Sequence, residues 1–184
     1  MKVLFMCTAN SCRSILSEAL FNHLAPDGFQ AISSGSFPKG QVLPRSLTTL
    51  KAAGISTEGL YSKGNDAFEG SPPDIVVTVC DKAAGEACPV YFGPALKAHW
   101  GLEDPSDVQG DEAQVDAAFR ATLEIIERRC RAFFEIPFAS LSPIEIMAEL
   151  DRIATPYPKS RASSRSEALF RRMLAGNGHS EPPQ

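Results

Sequence analysis

A short apolar run, Val3-Leu4-Phe5-Met6, gives way to Cys7-Thr8-Ala9-Asn10-Ser11-Cys12-Arg13, and from Ser14 the apolar positions Ile15, Leu16, Ala19, Leu20 and Leu24 recur at helical spacing. The chain must therefore pass from a buried strand through a tight loop into a helix N-terminus. Backbone N–H groups at such a helix start have no intrahelical partners and converge on one spot beside Cys7. A tetrahedral oxyanion fits there, held by the amides of Thr8, Ala9, Asn10, Ser11, Cys12 and Arg13, by the positive helix end and by the Arg13 guanidinium fork. The same field favours the thiolate of Cys7, and the Ser14 hydroxyl can donate to it. The loop is predicted both to bind an oxyanion and to attack it. The plainer alternative, a core cysteine near a chance arginine, leaves the strand, loop and helix order unexplained.

The rest of the chain repeats the strand and helix alternation. Residues 29–34 read as a second strand, 43–53 as a helix with Pro44 near its start and Gly54 as its stop, and 74–80 as a strand apolar on both faces. A weaker strand at 97–100 runs into Gly101-Leu102-Glu103-Asp104-Pro105. A long amphipathic helix is predicted over 112–134, with Cys130 on its apolar stripe and Arg128, Arg129 and Arg131 solvated near its end. These elements predict an α/β fold: a doubly wound parallel sheet of about four strands with flanking helices. A further amphipathic helix at 141–153 reads as a C-terminal helical arm. The expected organisation is a domain at 1–136, a helical extension at 137–155 and a disordered tail at 156–184. In sheets of this kind ligands sit at the carboxyl ends of the strands, where Cys7 and Cys80 both lie.

A length of 184 residues with 43% hydrophobic content supports one good core, and the net charge of -4 argues against a nucleic-acid surface. No apolar run approaches the roughly 18 residues of a membrane span, and no signal peptide is expected. Five cysteines, an odd number, point to functional thiols in a reducing cytoplasm. His23, His99 and His179 stand apart from them and Cys80 to Cys88 is too wide for zinc spacing, so no metal is expected. Cys130 reads as core. Cys12 either packs beneath the loop or forms a protective disulfide with Cys7.

A thiolate in an oxyanion loop could hydrolyse phosphate esters through a cysteinyl-phosphate, with Asp104 as the leaving-group acid. Asp before Pro is also a common turn starter, and position alone leaves both roles for Asp104 open. Cys80-Asp81-Lys82-Ala83-Ala84-Gly85-Glu86-Ala87-Cys88 separates the possibilities. Ester hydrolysis has no use for two cysteines bracketing a flexible small-residue segment, whereas a thiol relay does. Cys80 would reach Cys7 and Cys88 would reach Cys80.

The motifs Cys7-Thr8-Ala9-Asn10-Ser11-Cys12-Arg13-Ser14, Ser33-Ser34-Gly35, Val79-Cys80-Asp81 with Cys88-Pro89, and His99-Trp100-Gly101 before Asp104-Pro105 together resemble the arsenate reductases built on the low-molecular-weight protein tyrosine phosphatase fold. The resemblance covers residues 1–134 in order. It implies that arsenate binds the loop, Cys7 attacks arsenic, Asp104 protonates a departing oxygen, Cys80 attacks Cys7 to release arsenite, and Cys88 resolves the disulfide. It also implies no bound cofactor and an external thiol reductant, thioredoxin or glutathione with glutaredoxin, in a monomer or dimer serving arsenic detoxification. There are two departures from the family pattern. Cys80 and Cys88 stand one residue farther apart than in the best-known thioredoxin-coupled members, and Lys63 stands where some members place an aspartate of a monovalent-cation site, so bound potassium is not expected there although Asn10, Glu18 and Ser33 match its other positions. The rival readings are a low-molecular-weight protein tyrosine phosphatase using Cys7, Arg13 and Asp104, and a non-catalytic anion sensor. Against the phosphatase, Ser106-Asp107 follow Asp104-Pro105 where that family carries aromatic residues.

Overall fold

A computed structural model describes residues 1–68, 70–80 and 94–155. Residues 1–154 form one compact unit. The elements in chain order are β1 (Lys2–Cys7), α1 (Arg13–Leu24), β2 (Gln30–Gly35), α2 (Pro44–Ala52), β3 (Ile75–Thr78), β4 (Leu96–His99), α3 (Glu112–Phe134) and α4 (Pro143–Ala154), with short 3-10 turns at Asn65–Phe68, Pro105–Asp107 and Phe138–Ser140. The four strands make one parallel sheet in the order β2-β1-β3-β4. Cys88 and the predicted tail lie outside the described residues.

Both faces of β1 are buried, as its apolar run requires. Val3 and Phe5 join the large core with Leu16, Phe21, Phe119 and Phe133, while Leu4 and Met6 form a smaller cluster with Val76, against which Ile32, Phe68 and Ala95 pack. Helix α1 is buried continuously from Ser14 to Phe21 and lies against β1, β2 and α3. Its sequence is short of a polar face because it runs between the sheet and α3. Helix α3 starts on a capping box, in which Asp111 accepts from the Gln114 amide and the Gln114 side chain accepts from the Asp111 amide. Arg45 on α2 pairs with Glu112 and Asp116, tying α2 to the first turn of α3.

Strand β3 ends two residues earlier than its apolar pattern suggests, but the ladder continues past it. Val79 donates to Met6, Trp100 to Thr78 and Leu102 to Val79 at 2.8, 2.8 and 3.1 Å. Helix α4 returns across β4, burying Ile146, Leu150 and Ile153 in the main core. Contrary to the expectation from its place near the helix end, Arg129 does not lie in solvent. Arg129 is half-buried and donates to the carbonyls of Trp100, Gly101 and Ala154 at 2.9, 3.1 and 3.1 Å, because the facing β4 connection and α4 present those oxygens to it. Burial first, and then the neighbouring Arg128, lower its pKa from the ordinary arginine value.

Candidate active site

The loop after β1 closes around Cys7 through a chain of buried hydrogen bonds. The Lys63 amide donates to Asn10 Oδ1 at 2.8 Å, which fixes the orientation of the Asn10 amide because a backbone N–H can only donate. Asn10 Nδ2 then donates to Ser14 Oγ at 2.9 Å and to Ser33 Oγ at 2.8 Å. Ser14 Oγ, having accepted from Asn10, has its own proton free for Cys7 Sγ, 2.9 Å away. The Asn10 backbone N–H also donates to Cys7 Sγ at 3.2 Å. Two donors thus converge on one sulfur. Asn10 adopts a left-handed backbone with φ of 44°, which asparagine tolerates better than most residues, and it is fully buried.

Beneath this network Ser33 Oγ donates to Glu18, and Lys63 Nζ pairs with the same Glu18 oxygen at 3.2 Å. Lys63 Nζ also donates to the Tyr61 carbonyl at 3.2 Å and lies 4.5 Å from the Tyr61 ring centroid. The ammonium therefore stands beside Glu18, whose same oxygen accepts from Ser33, while the Lys63 backbone N–H reaches Asn10. Among the described residues, no group of three or more His, Cys, Asp or Glu side chains is arranged to hold a metal ion.

No side chain caps α1. Cys12 occupies the N-cap without a capping hydrogen bond, and the first turn carries no acidic residue. An N-terminus left in that condition suits an anion. The loop is pressed against β2 at Gly35, where an added Cβ would meet Thr8 O at 2.7 Å and Asn10 N at 2.9 Å. Its rim is held from outside by Phe37 N donating to Thr8 O at 2.8 Å, Lys39 N to Ala9 O at 3.1 Å, Leu43 N to Ser11 O at 2.9 Å and Ser62 Oγ to Ala9 O at 3.3 Å. Arg13 extends to the far wall, donating to Asp104 Oδ2 at 2.7 Å and to Leu102 O at 3.0 Å. Asp104 takes the turn role and also pairs with Arg13. One carboxylate oxygen meets Arg13, and the other caps the following 3-10 turn by accepting from Ser106 N and Oγ at 3.0 and 2.6 Å.

Cys80 is buried just past the carboxyl end of β3, and its Sγ lies 3.6 Å from Thr8 Oγ1. Cys7, Arg13, Ser14, Cys80 and Asp104 thus gather at one end of the sheet, with Cys88 outside the described residues. Cys12 packs under the loop, where burial pushes its thiol up to about 12 against a weaker opposing hydrogen bond from Ser46. Cys130 is a core residue, pushed up to about 12 by burial. Two exposed aromatics went unread in the sequence. Phe37 and Tyr61 flank the loop rim, 70% and 57% exposed, and their signal was a lone aromatic within a Gly, Ser and Pro-rich connection.

The model of the family described as low molecular weight phosphotyrosine protein phosphatase matches residues 2–143. An arsenate reductase of Halalkalibacterium halodurans is 32% identical over 133 residues, 72% of this chain and 94% of its own length, and one of Bacillus subtilis has the same identity and coverage. Among solved structures, an arsenate reductase in its phosphate-binding state aligns with a TM-score of 0.59 and 26% identity over 71% of this chain and 93% of that one. A thioredoxin-dependent arsenate reductase of Corynebacterium glutamicum aligns with a TM-score of 0.55 and 26% identity, covering 73% of this chain and 60% of that one.

Proposed function

Because the chain belongs to the low-molecular-weight phosphotyrosine protein phosphatase family, with arsenate reductases among its relatives, we propose that it reduces arsenate to arsenite through a thiol relay on the Cys7 loop. The observation that carries this reading is Cys80, a second buried thiol at the loop edge. Ester hydrolysis would need only Cys7, Arg13 and Asp104.

Arsenate enters the cradle of amides from Thr8 to Arg13, and the Arg13 fork offsets its charge. The Cys7 thiolate, held by Ser14 and the Asn10 amide, attacks arsenic. Asp104 protonates the departing oxygen, which leaves as water. Cys80, as a thiolate, then attacks Cys7 Sγ. The sulfur–sulfur bond forms as the sulfur–arsenic bond breaks, and its electron pair passes to arsenic, which leaves as arsenite. Cys88 attacks Cys80 Sγ, returning Cys7 as a thiolate and leaving a disulfide between Cys80 and Cys88. A dithiol protein of the thioredoxin type, or glutathione with glutaredoxin, reduces that bond, which assigns the reaction to the cytoplasm. The reading gives catalysis to residues 1–136 and treats 137–155 as an extension.

The test incubates fully reduced protein with arsenate and no external reductant, then counts arsenite and maps disulfides by peptide mass. Close to one arsenite per chain with Cys80 bonded to Cys88 is the expected result. No arsenite, with free thiols and aryl phosphate still hydrolysed, refutes the relay. That second outcome belongs to the phosphatase reading, which Phe37 and Tyr61 favour as exposed rings beside the loop. Cys80→Ser separates the two, since it ends arsenate turnover under the relay and spares ester hydrolysis.

A further inference from the structure

Arg129 lies on α3, away from the Cys7 loop, yet all three of the acceptors described for it above are main-chain oxygens. A half-buried guanidinium is costly to desolvate, and carbonyls recover less of that cost than a carboxylate would. What it gains is geometry. Trp100 and Gly101 open the segment that carries Leu102 and Asp104, so Arg129 grips the two peptide groups just before the carbonyl that holds Arg13 and the carboxylate that faces it.

The N–H side of this segment is anchored to β3 through Trp100 N and Leu102 N. On the carbonyl side Arg13 donates to Leu102 O, and Arg129 donates to Trp100 O and Gly101 O. The guanidinium in turn is braced by Ala154 O at the end of α4, where helix carbonyls lack partners and the helix dipole favours a cation. A second tie runs in parallel, from the buried Trp100 indole to Leu150 O at 3.0 Å. Residues 144–154 lie beyond the span that the family model matches.

We propose that Arg129 is a positioning residue for the Asp104 segment and that α4 is the abutment against which it holds that segment. The inference rests on the reading of Asp104 as the acid that protonates the departing oxygen. With Arg129 gone, two carbonyls lose their donors and the carboxylate drifts from the distance that proton transfer needs.

The test uses the full chain carrying Arg129→Met, which keeps the aliphatic stem and loses every donor, and Arg129→Lys, with Asp104→Asn as the reference. Turnover is measured on phenyl phosphate, whose leaving group needs a proton, and on 2,4-dinitrophenyl phosphate, whose leaving group does not. Arg129→Met is expected to lower kcat about tenfold on phenyl phosphate and less than about threefold on the dinitrophenyl ester, with Lys recovering part of the loss. An equal loss on both esters means a merely structural role and overturns the proposal. Asp104→Asn with no leaving-group dependence overturns the reading of Asp104 instead. Hydrogen exchange of the same proteins is independent of catalysis. Protection at the Leu102 and Asp107 amides should fall about tenfold in Arg129→Met with the β1 amides unchanged, and unchanged protection at Leu102 and Asp107 refutes the brace.

Discussion

Gly35→Ala should disable the site without touching any group that does chemistry. The new Cβ would stand 2.7 Å from Thr8 O, 2.9 Å from Asn10 N and 3.0 Å from Asn10 Cβ, whereas ordinary contact begins at 3.4 Å. None of the crowded atoms is the free end of a flexible side chain, so the loop backbone itself must retreat by roughly 0.7 Å from β2. It is tied there by Phe37 N donating to Thr8 O and by Lys63 N donating to Asn10 Oδ1. Overpacking of this kind costs about 1–3 kcal/mol, which lowers Tm by about 2–12 °C in a chain of this size. The functional loss should be larger in proportion, because an amide cradle displaced by most of an ångström misplaces every donor at once, and such displacements cost about a hundredfold in rate. The assay pairs thermal unfolding with phosphate binding by calorimetry and with kcat/KM on arsenate and on an aryl phosphate. Gly70→Ala is the control, since its Cβ would meet nothing within 4 Å. A folded Gly35→Ala protein that binds phosphate as the unaltered chain does would refute the close-approach account of the loop.

Lys63→Met should destabilise by about 3–5 kcal/mol, because it strands Glu18 in a site where the two side chains are only 6% and 11% exposed. Adding Glu18→Gln should restore more than half of that in a denaturant titration, and a single-variant loss below about 1 kcal/mol would remove the buried pair from the account. Stability should also fall at high pH. Cys12 and Cys130 each have folded values of about 12 against an ordinary 9.0, so the unfolded chain sheds those protons first. The contribution is complete below about pH 9 and is lost toward pH 12 at about 1.4 kcal/mol per unit for each thiol. Urea midpoints from pH 8 to about 10.5 should show this slope, and Cys130→Ala should flatten it by one thiol's share, whereas an unchanged slope would contradict the buried-thiol origin.

The parts of the molecule legible in the sequence are those governed by local pattern. Val3 to Met6 had to be a buried strand, and the turn from Cys7 to Arg13 had to precede a helix, because the periodicity changes there. Helix α3 matched its predicted bounds because its apolar stripe is long and its ends are polar. What escaped was set by partners far along the chain. Arg129 read as solvated because nothing near it in sequence marks Trp100, Gly101 and Ala154 as its acceptors. Gly35 gave no sign that Thr8 and Asn10 would press on it, and Asp104 showed two roles of which position alone could not choose one. The ammonium of Lys63 was legible only through resemblance, since 45 residues separate it from Glu18.

The strand that carries Cys7 precedes the other three strands in the chain, yet it sits inside the sheet between β2 and β3. Its loop is completed by Lys63, 53 residues downstream of Asn10, and Arg13 finds Leu102 and Asp104 only 89 and 91 residues later. A nascent chain emerging from the ribosome therefore exposes Cys7 long before the serine, amide and arginine geometry around it can assemble, and parallel pairings of such separation close slowly. Because Leu102 and Asp104 lie past the midpoint of the 184 residues, the topology itself postpones assembly of the surroundings of Cys7 until more than half of the chain exists.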